Sequence, residues 1–213
     1  MLTIALAKGR TAEDTLPLLE QSGWPLAENF FTSRALVFPA HSPILGELQY
    51  LLAKPMDVPT YVQYGVADLG IVGKDILLEQ QSDVYELINL GTARCTLCLA
   101  GKPETKMNQI RRVATKYPRL AEAYFRSEGL SVELVELGGS IELAAVIGLA
   151  DAIFDLVQTG ATLAANGLQV LHECHKISAR LIANRSSFRL KQDKLEPLLV
   201  ALQKATTDGE GWI

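Results

Sequence analysis

The sequence predicts an α/β fold built on mostly parallel sheets, and two observations lead there. Short apolar runs of strand length alternate with helical patterns nearly throughout, an arrangement that lays helices over the faces of parallel sheets. Apolar residues make up 48% of the 213 residues and charged residues 21%, which supplies a sizeable core and excludes wholesale disorder. Length alone leaves one large domain and two lobes both open.

Taken in order, Leu2 to Leu6 is a strand by its apolar run. Ala12 to Gln21 is a helix closed by Ser22 and Gly23, and Ala35 to Phe38 and Glu47 to Leu52 are strands around the turn-rich HSPILG. Asp57 is expected to cap a helix that tolerates Pro59 in its first turn and ends near Gly65. Asp68 to Gly73 is a buried strand, followed by a helix from Lys74 to Glu79. Arg94 to Ala100, Val113 to Thr115, Val132 to Leu137 and Ala152 to Val157 are strands. Helices lie between them at Pro118 to Glu128 and Ile141 to Gly148. A last helix, Asp193 to Ala205, precedes a tail, TDGEGWI, expected to fray. The chain divides near Leu90 to Arg94; composition does not say which lobe receives the last helix.

A formal net charge of −4 gives no general pull toward nucleic acid or acidic lipid, so an anion site must use local cations and backbone amides. The N-terminus has only seven residues before Lys8, too few apolar ones for a secretory signal or a membrane span. Three cysteines, an odd number, then fit free thiols in a reducing cytoplasm.

The segment Asp151 to Thr162, DAIFDLVQTGAT, carries the chemistry. Asp155 is the acid near the carboxyl end of an apolar strand, where α/β sheets bind ligands. Thr159, Gly160, Ala161 and Thr162 follow and open a helix, so unpaired amides and the positive helix end face an anion. A threonine-capped helix would look the same; Asp155 before the turn favours function. Phosphate on the turn with the carboxylate toward sugar hydroxyls suits a ribose 5-phosphate. Glu142 opens the preceding helix, where the dipole favours an acid in any case.

Lys8, Gly9 and Arg10 follow the first strand, two cations around a glycine that permits a tight turn. Arg34 and Lys54 stand near the ends of elements in the same lobe. Each taken alone reads as a solvated charge; together they could neutralise a pyrophosphate or triphosphate. Cys95 and Cys98 have C-x-x-C spacing but lie in a strand, where positions three apart face opposite ways, so buried thiols are expected. His172 to His175 is a lone group of soft ligands, short of a structural zinc site. Walker A, G-x-S-x-G and H-E-x-x-H motifs are absent.

Several ordered motifs resemble one family over nearly the whole chain. They are Ile4 to Arg10 (IALAKGR), Asp57 to Val62 (DVPTYV), Ala67 to Asp75 (ADLGIVGKD), Ala114 to Pro118 (ATKYP), and Gly148 to Gly160. The sequence is similar to the short form of the ATP phosphoribosyltransferases, which begin histidine biosynthesis. That resemblance implies two lobes like the type II periplasmic binding proteins, with the active site in the cleft between them. Residues 1–90 with 178–213 would form the first lobe and 91–177 the second, the final helix returning to the first. It implies joining of ATP, through N1, to C1 of phosphoribosyl pyrophosphate, with Mg2+ carried on the pyrophosphate and no metal fixed by protein side chains. Asp155 would hold the ribose hydroxyls and Thr159 to Thr162 the 5-phosphate. Lys8, Arg34 and Lys54 would steady pyrophosphate or ATP phosphates, with Arg10, Asp68, Tyr117 and Glu142 on the nucleotide or pyrophosphate side.

Many members carry Arg where Lys54 stands and Pro where Ala145 stands. Type I phosphoribosyltransferases usually have two adjacent acids before the turn, whereas Leu156 follows Asp155. No C-terminal regulatory domain is expected. A regulatory subunit resembling histidyl-tRNA synthetase, in a hetero-octamer with homodimers of this chain, is implied instead. Two competing functions are a solute-binding protein of the same fold and a type I enzyme acting on a free base.

Overall fold

The computed structural model describes residues 1–26, 30, 33–42 and 45–206; the tail read as fraying lies outside them, as does part of HSPILG. The chain separates into two compact units, Met1–Arg94 with the described chain from Ser178 onward, and Cys95–Ile177.

The first unit is built on a six-stranded sheet. β1 (Leu2–Ala7) lies at its centre, every residue buried. It runs parallel to β3 (Gly46–Ala53) on one side and β4 (Leu69–Gly73) on the other. β2 (Val37–Ser42) closes one edge antiparallel to β3. β11 (Ala179–Ala183) returns antiparallel to β4, and β5 (Tyr85–Asn89) pairs antiparallel with β11 at the other edge. α1 (Arg10–Gln21) and α7 (Arg185–Ala205) pack Leu16, Leu19, Leu195, Leu198 and Leu202 against Ile4, Leu6, Ile71 and Leu181.

The second unit has a five-stranded sheet in the order β10-β6-β9-β7-β8. β7 (Arg112–Thr115) runs parallel to β8 (Glu133–Glu136) and to β9 (Ala152–Val157). β6 (Cys95–Gly101) is antiparallel to β9 and to the bulged β10 (Gln169–Ile177). On one face, Ile153 and Ala114 pack beneath Ala144 of α5 (Glu142–Val146) and Leu163 of α6 (Ala161–Ala165). On the other, Tyr124 of α4 (Pro118–Ser127) stacks on Phe154, ring centroids 5.5 Å apart.

The α/β fold is thus present, but both sheets are mixed rather than mostly parallel. Part of the reason is three strands the pattern did not reveal, β5, β10 and β11, which run antiparallel to their neighbours; the rest is that β2 and β6 also run antiparallel to β3 and β9. β10 is polar along most of its length, as an edge strand can be, and β5 mixes Glu86 with apolar neighbours. Three local expectations also change. The backbone of Asp57 is helical and its side chain makes no cap; it ends a 3-10 turn, Pro55–Asp57, that runs into α2 (Val58–Gln63). α1 begins at Arg10, directly after Gly9. α7 begins eight residues before Asp193, because the Asn184 side chain accepts the amides of Ser186 and Ser187 at 3.1 and 2.9 Å.

Asp68 braces the first unit from inside. Its carboxylate accepts the Thr3 amide at 2.9 Å and pairs with Lys191 of α7 at 2.8 Å. Burial pushes the group up, but the bonds from Lys191, Thr3 and Ser187 outweigh it and hold the carboxyl below its usual range. A depressed carboxyl stabilises above its unfolded pKa and loses that contribution as the pH falls. Asp68→Ala should therefore cost about 2–4 kcal/mol at neutral pH, because it leaves the buried Thr3 amide without its acceptor and takes the carboxylate from the Lys191 ammonium. Urea unfolding should show that difference shrinking below about pH 4; a constant difference would remove the electrostatic share.

Candidate active site

Parallel pairing of β7 with β9 sets Thr115 opposite Phe154, so Lys116, the first residue after β7, emerges beside Asp155 near the carboxyl end of β9. The buried Thr115 hydroxyl fastens that register by donating to the Phe154 carbonyl at 2.7 Å and accepting the Tyr117 amide at 2.9 Å. Asp155 falls two residues after Ile153 and so shares the face covered by α5 and α6. Its carboxylate accepts its neighbour Leu156's amide at 2.8 Å and lies 3.2 Å from the Lys116 ammonium. Burial dominates and pushes the carboxyl up; Lys116 and the Leu156 amide pull it down, and Glu142 at the start of α5 pushes it up again.

The chain then makes the turn. Gly160 takes φ 73° and ψ 1°, a left-handed conformation that side chains resist, and α6 starts at the next residue. The Thr159 hydroxyl accepts the Ala161 amide at 3.3 Å. Thr159, Ala161 and Thr162 are exposed around it. Asp155 and the expected phosphate turn are therefore consecutive parts of one strand-to-helix passage.

In the first unit, the carboxyl ends of β1 and β3 stand side by side. The Lys8 amide donates to the Ala53 carbonyl at 2.9 Å, which places Lys8 and Lys54 at neighbouring strand ends. Gly9, at φ 77° and ψ −142°, turns the chain into α1. Lys8, Gly9 and Arg34 line a pocket of about 220 Å³, with Glu13 among its walls. Arg10 donates to the Ala93 carbonyl at 3.4 Å.

Two residues expected on the nucleotide or pyrophosphate side are buried. Asp68 lies level with Thr3, at the amino end of the sheet, because Leu69 is in register with Ile4; Lys8 and Lys54 are at the carboxyl end. Tyr117 is buried in the second unit, its ring 5.1 Å from the Lys116 ammonium. Lys116 itself was not singled out in the sequence. Its signal was the ATKYP motif directly after β7, but only the order of strands brings it to Asp155.

Cys95, Cys98 and Cys174 are free thiols. Burial pushes Cys98 up to about 12 and Cys174 up to about 11, values that suit inert thiols rather than nucleophiles. Among the described residues, no three His, Cys, Asp or Glu side chains come together to hold a metal. His172 instead shares a hydrogen bond with the Tyr124 hydroxyl at 2.9 Å. No described helix is long and apolar enough to cross a membrane.

A family model described as ATP phosphoribosyltransferase matches residues 54–204. Curated ATP phosphoribosyltransferases are similar throughout. That of Geobacillus kaustophilus is 50% identical, over 93% of this chain and 95% of its own. That of Bacillus subtilis is 47% identical, over 93% and 92%. The chain belongs to the ATP phosphoribosyltransferase family. Among solved structures, the ATP phosphoribosyl transferase (HisG:HisZ) complex from Thermotoga maritima superposes with a TM-score of 0.79 and 32% identity, covering 97% of this chain and 98% of that one. The Bordetella pertussis BvgS periplasmic VFT2 domain, with a TM-score of 0.62 and 13% identity over 98% and 89%, shows the fold alone. The fold of this family member is thus that of the periplasmic binding proteins.

A Cβ at Gly160 would meet nothing nearer than Val157 Cγ1 at 4.0 Å, so substitution there strains the backbone without a clash. Gly160→Val should reshape the turn at a conformational cost of about 1–2 kcal/mol. Calorimetric titration should then read phosphoribosyl pyrophosphate binding weakened roughly 5- to 30-fold. Unchanged affinity would remove the turn from the site.

Proposed function

We propose that this chain catalyses the first step of histidine biosynthesis, joining ATP to 5-phosphoribosyl 1-pyrophosphate to give N1-(5-phosphoribosyl)-ATP and pyrophosphate. One observation carries the residue assignments: Asp155 lies near the carboxyl end of an apolar strand, five residues before the left-handed Gly160 that opens the next helix, in a chain of this family. It is a pentosyltransferase reaction. N1 of the adenine attacks C1 of the ribose as the C1–O bond to pyrophosphate breaks, through an oxocarbenium-like state. No protein nucleophile is required; the protein's work is positioning and charge stabilisation.

In this reading the Asp155 carboxylate accepts from the ribose hydroxyls and offsets the positive charge that develops on the ring. Thr159, Gly160, Ala161 and Thr162 surround the 5-phosphate. Lys8 and Arg34, together in one pocket, take the pyrophosphate or ATP phosphates, with Lys54 at the neighbouring strand end. A lysine at position 54 supplies charge without the bidentate geometry of arginine. Arg10 and Glu142 border these groups, Tyr117 supports Lys116 from within, and Asp68 is assigned to structure. Magnesium belongs to the substrate, on the pyrophosphate oxygens, where it offsets leaving-group charge. We assign the reaction to the cytoplasm.

The Thermotoga maritima relative is a HisG:HisZ complex, and by that likeness this chain works with a regulatory subunit. We propose that the subunit resembles histidyl-tRNA synthetase and joins homodimers of this chain in a hetero-octamer. The domain assignment, residues 1–90 with 178–213 and then 91–177, is part of the same proposal, supported by the two compact units.

Mixing the chain with ATP, phosphoribosyl pyrophosphate and magnesium should yield phosphoribosyl-ATP, weakly alone and strongly with the regulatory subunit. No product under either condition, with clean binding of an unphosphorylated solute, would favour a binding protein. Histidine should inhibit the complex but not the isolated chain; full inhibition of the isolated chain would refute the division of labour. Asp155→Asn should keep the fold, by circular dichroism, and lower turnover roughly 10²–10³-fold. A near-normal rate would move the ribose contact elsewhere.

A further inference from the structure

Asp155 has a difficult task in the proposed reaction. It must remain a carboxylate at the end of a strand that is largely buried, its side chain only 15% exposed. Two charged side chains act on it, and two titratable ones stand on the neighbouring elements. Lys116, from the end of β7, lies 3.2 Å away. Glu142, from α5, adds like charge. Cys98, in register with Asp155 on β6, is a buried thiol. Tyr117, which opens α4, is a buried phenol under the Lys116 ammonium. Thr159 and Thr162, after the strand, are uncharged. Among the described residues, Lys116 is the cation paired with Asp155.

Lys116 is also held from several sides. The residue before it is locked to β9 through Thr115 and the Phe154 carbonyl, the residue after it is buried, and its ammonium lies 5.1 Å from the Tyr117 ring centre. The side chain remains 38% exposed, so its replacement removes charge without opening a cavity in the core.

We propose that Lys116 is the positioning residue of the ribose site, its ammonium holding the Asp155 carboxylate in the charged form that accepts from the sugar. The inference rests on the reading of Asp155 as the ribose-binding group and extends it to a residue outside that contact. Burial and Glu142 push Asp155 toward the neutral acid, and Lys116 opposes them. A protonated Asp155 would offer the ribose one acceptor fewer and no negative charge. The ion pair also sets the carboxylate's direction while the site is empty, which reduces the ordering required when substrate arrives.

The test compares Lys116→Met and Lys116→Arg in the complex with the regulatory subunit, by pH profile. For Lys116→Met, kcat/KM for phosphoribosyl pyrophosphate should fall roughly tenfold more at about pH 6 than at about pH 8, because the Asp155 acid limb moves up. Lys116→Arg should restore the acid limb. A loss equal at every pH, or an arginine variant no better than methionine, would overturn the proposal in favour of a structural or direct-contact role. A second readout needs no turnover. Carbon NMR of the isolated chain, with the Asp155 signal identified by its loss in Asp155→Asn, should show its titration at higher pH in Lys116→Met and restored in Lys116→Arg. An unmoved midpoint overturns the proposal. A moved midpoint in a chain that makes no phosphoribosyl-ATP would uphold the ion pair and refute the enzymatic reading instead.

Discussion

Two neighbouring strands that run in the same direction end at the same edge, and whatever follows each of them is delivered there together. β1 and β3 do this with Lys8 and Lys54, and β7 ends opposite Phe154, so that Lys116 emerges beside Asp155 near the carboxyl end of β9. Backbone hydrogen bonds fix each pairing, so side-chain placement at the edge is inherited from the ladder rather than arranged by the side chains. The Thr115 hydroxyl, bridging to the Phe154 carbonyl within a fully buried environment, makes that inheritance stiff in the second unit. Slippage by one residue would turn Asp155 onto the face covered by α4.

The two units use this device for opposite charges. The first gathers cations at strand ends and around the turn at Gly9, in a protein whose net charge is negative. The second gathers a carboxylate, its ammonium partner and a left-handed turn that exposes backbone amides. In the proposed reading, charge stabilisation and positioning are the two demands on these residues.

What could be read without coordinates was local. The DAIFDLVQTGAT passage states its own geometry, since strand, acid, glycine and helix start follow one another in sequence, and each appears where expected. Lys8 and Gly9 were legible for the same reason. What escaped depends on residues distant in the chain. The place of Lys116 follows from which strand lies beside β9, and Asp68 is defined by Thr3 and Lys191, 65 residues before it and far after it. β10 and β5 escaped because edge strands need not be apolar, and the first turns of α7 because they are mostly polar and announced only by Asn184. The direction in which each strand pairs was equally out of reach: β2 and β6 were legible as strands, but not as antiparallel ones.

β11 also bears on the order in which the protein is made. It sits between β4 and β5, within the first unit's sheet rather than at its edge, yet it follows the entire second unit in sequence. A ribosome therefore releases the second unit whole while the first still lacks an inner strand and the helix that covers its core. During that interval β4 has one unpaired side and β5 has no partner. The second unit can fold first as a contiguous piece, whereas the first must wait for its last segment. Pauses in translation between about Ile177 and Asn184 would prolong exposure of those edges, and a chaperone that shields strand edges would have its clearest opportunity there.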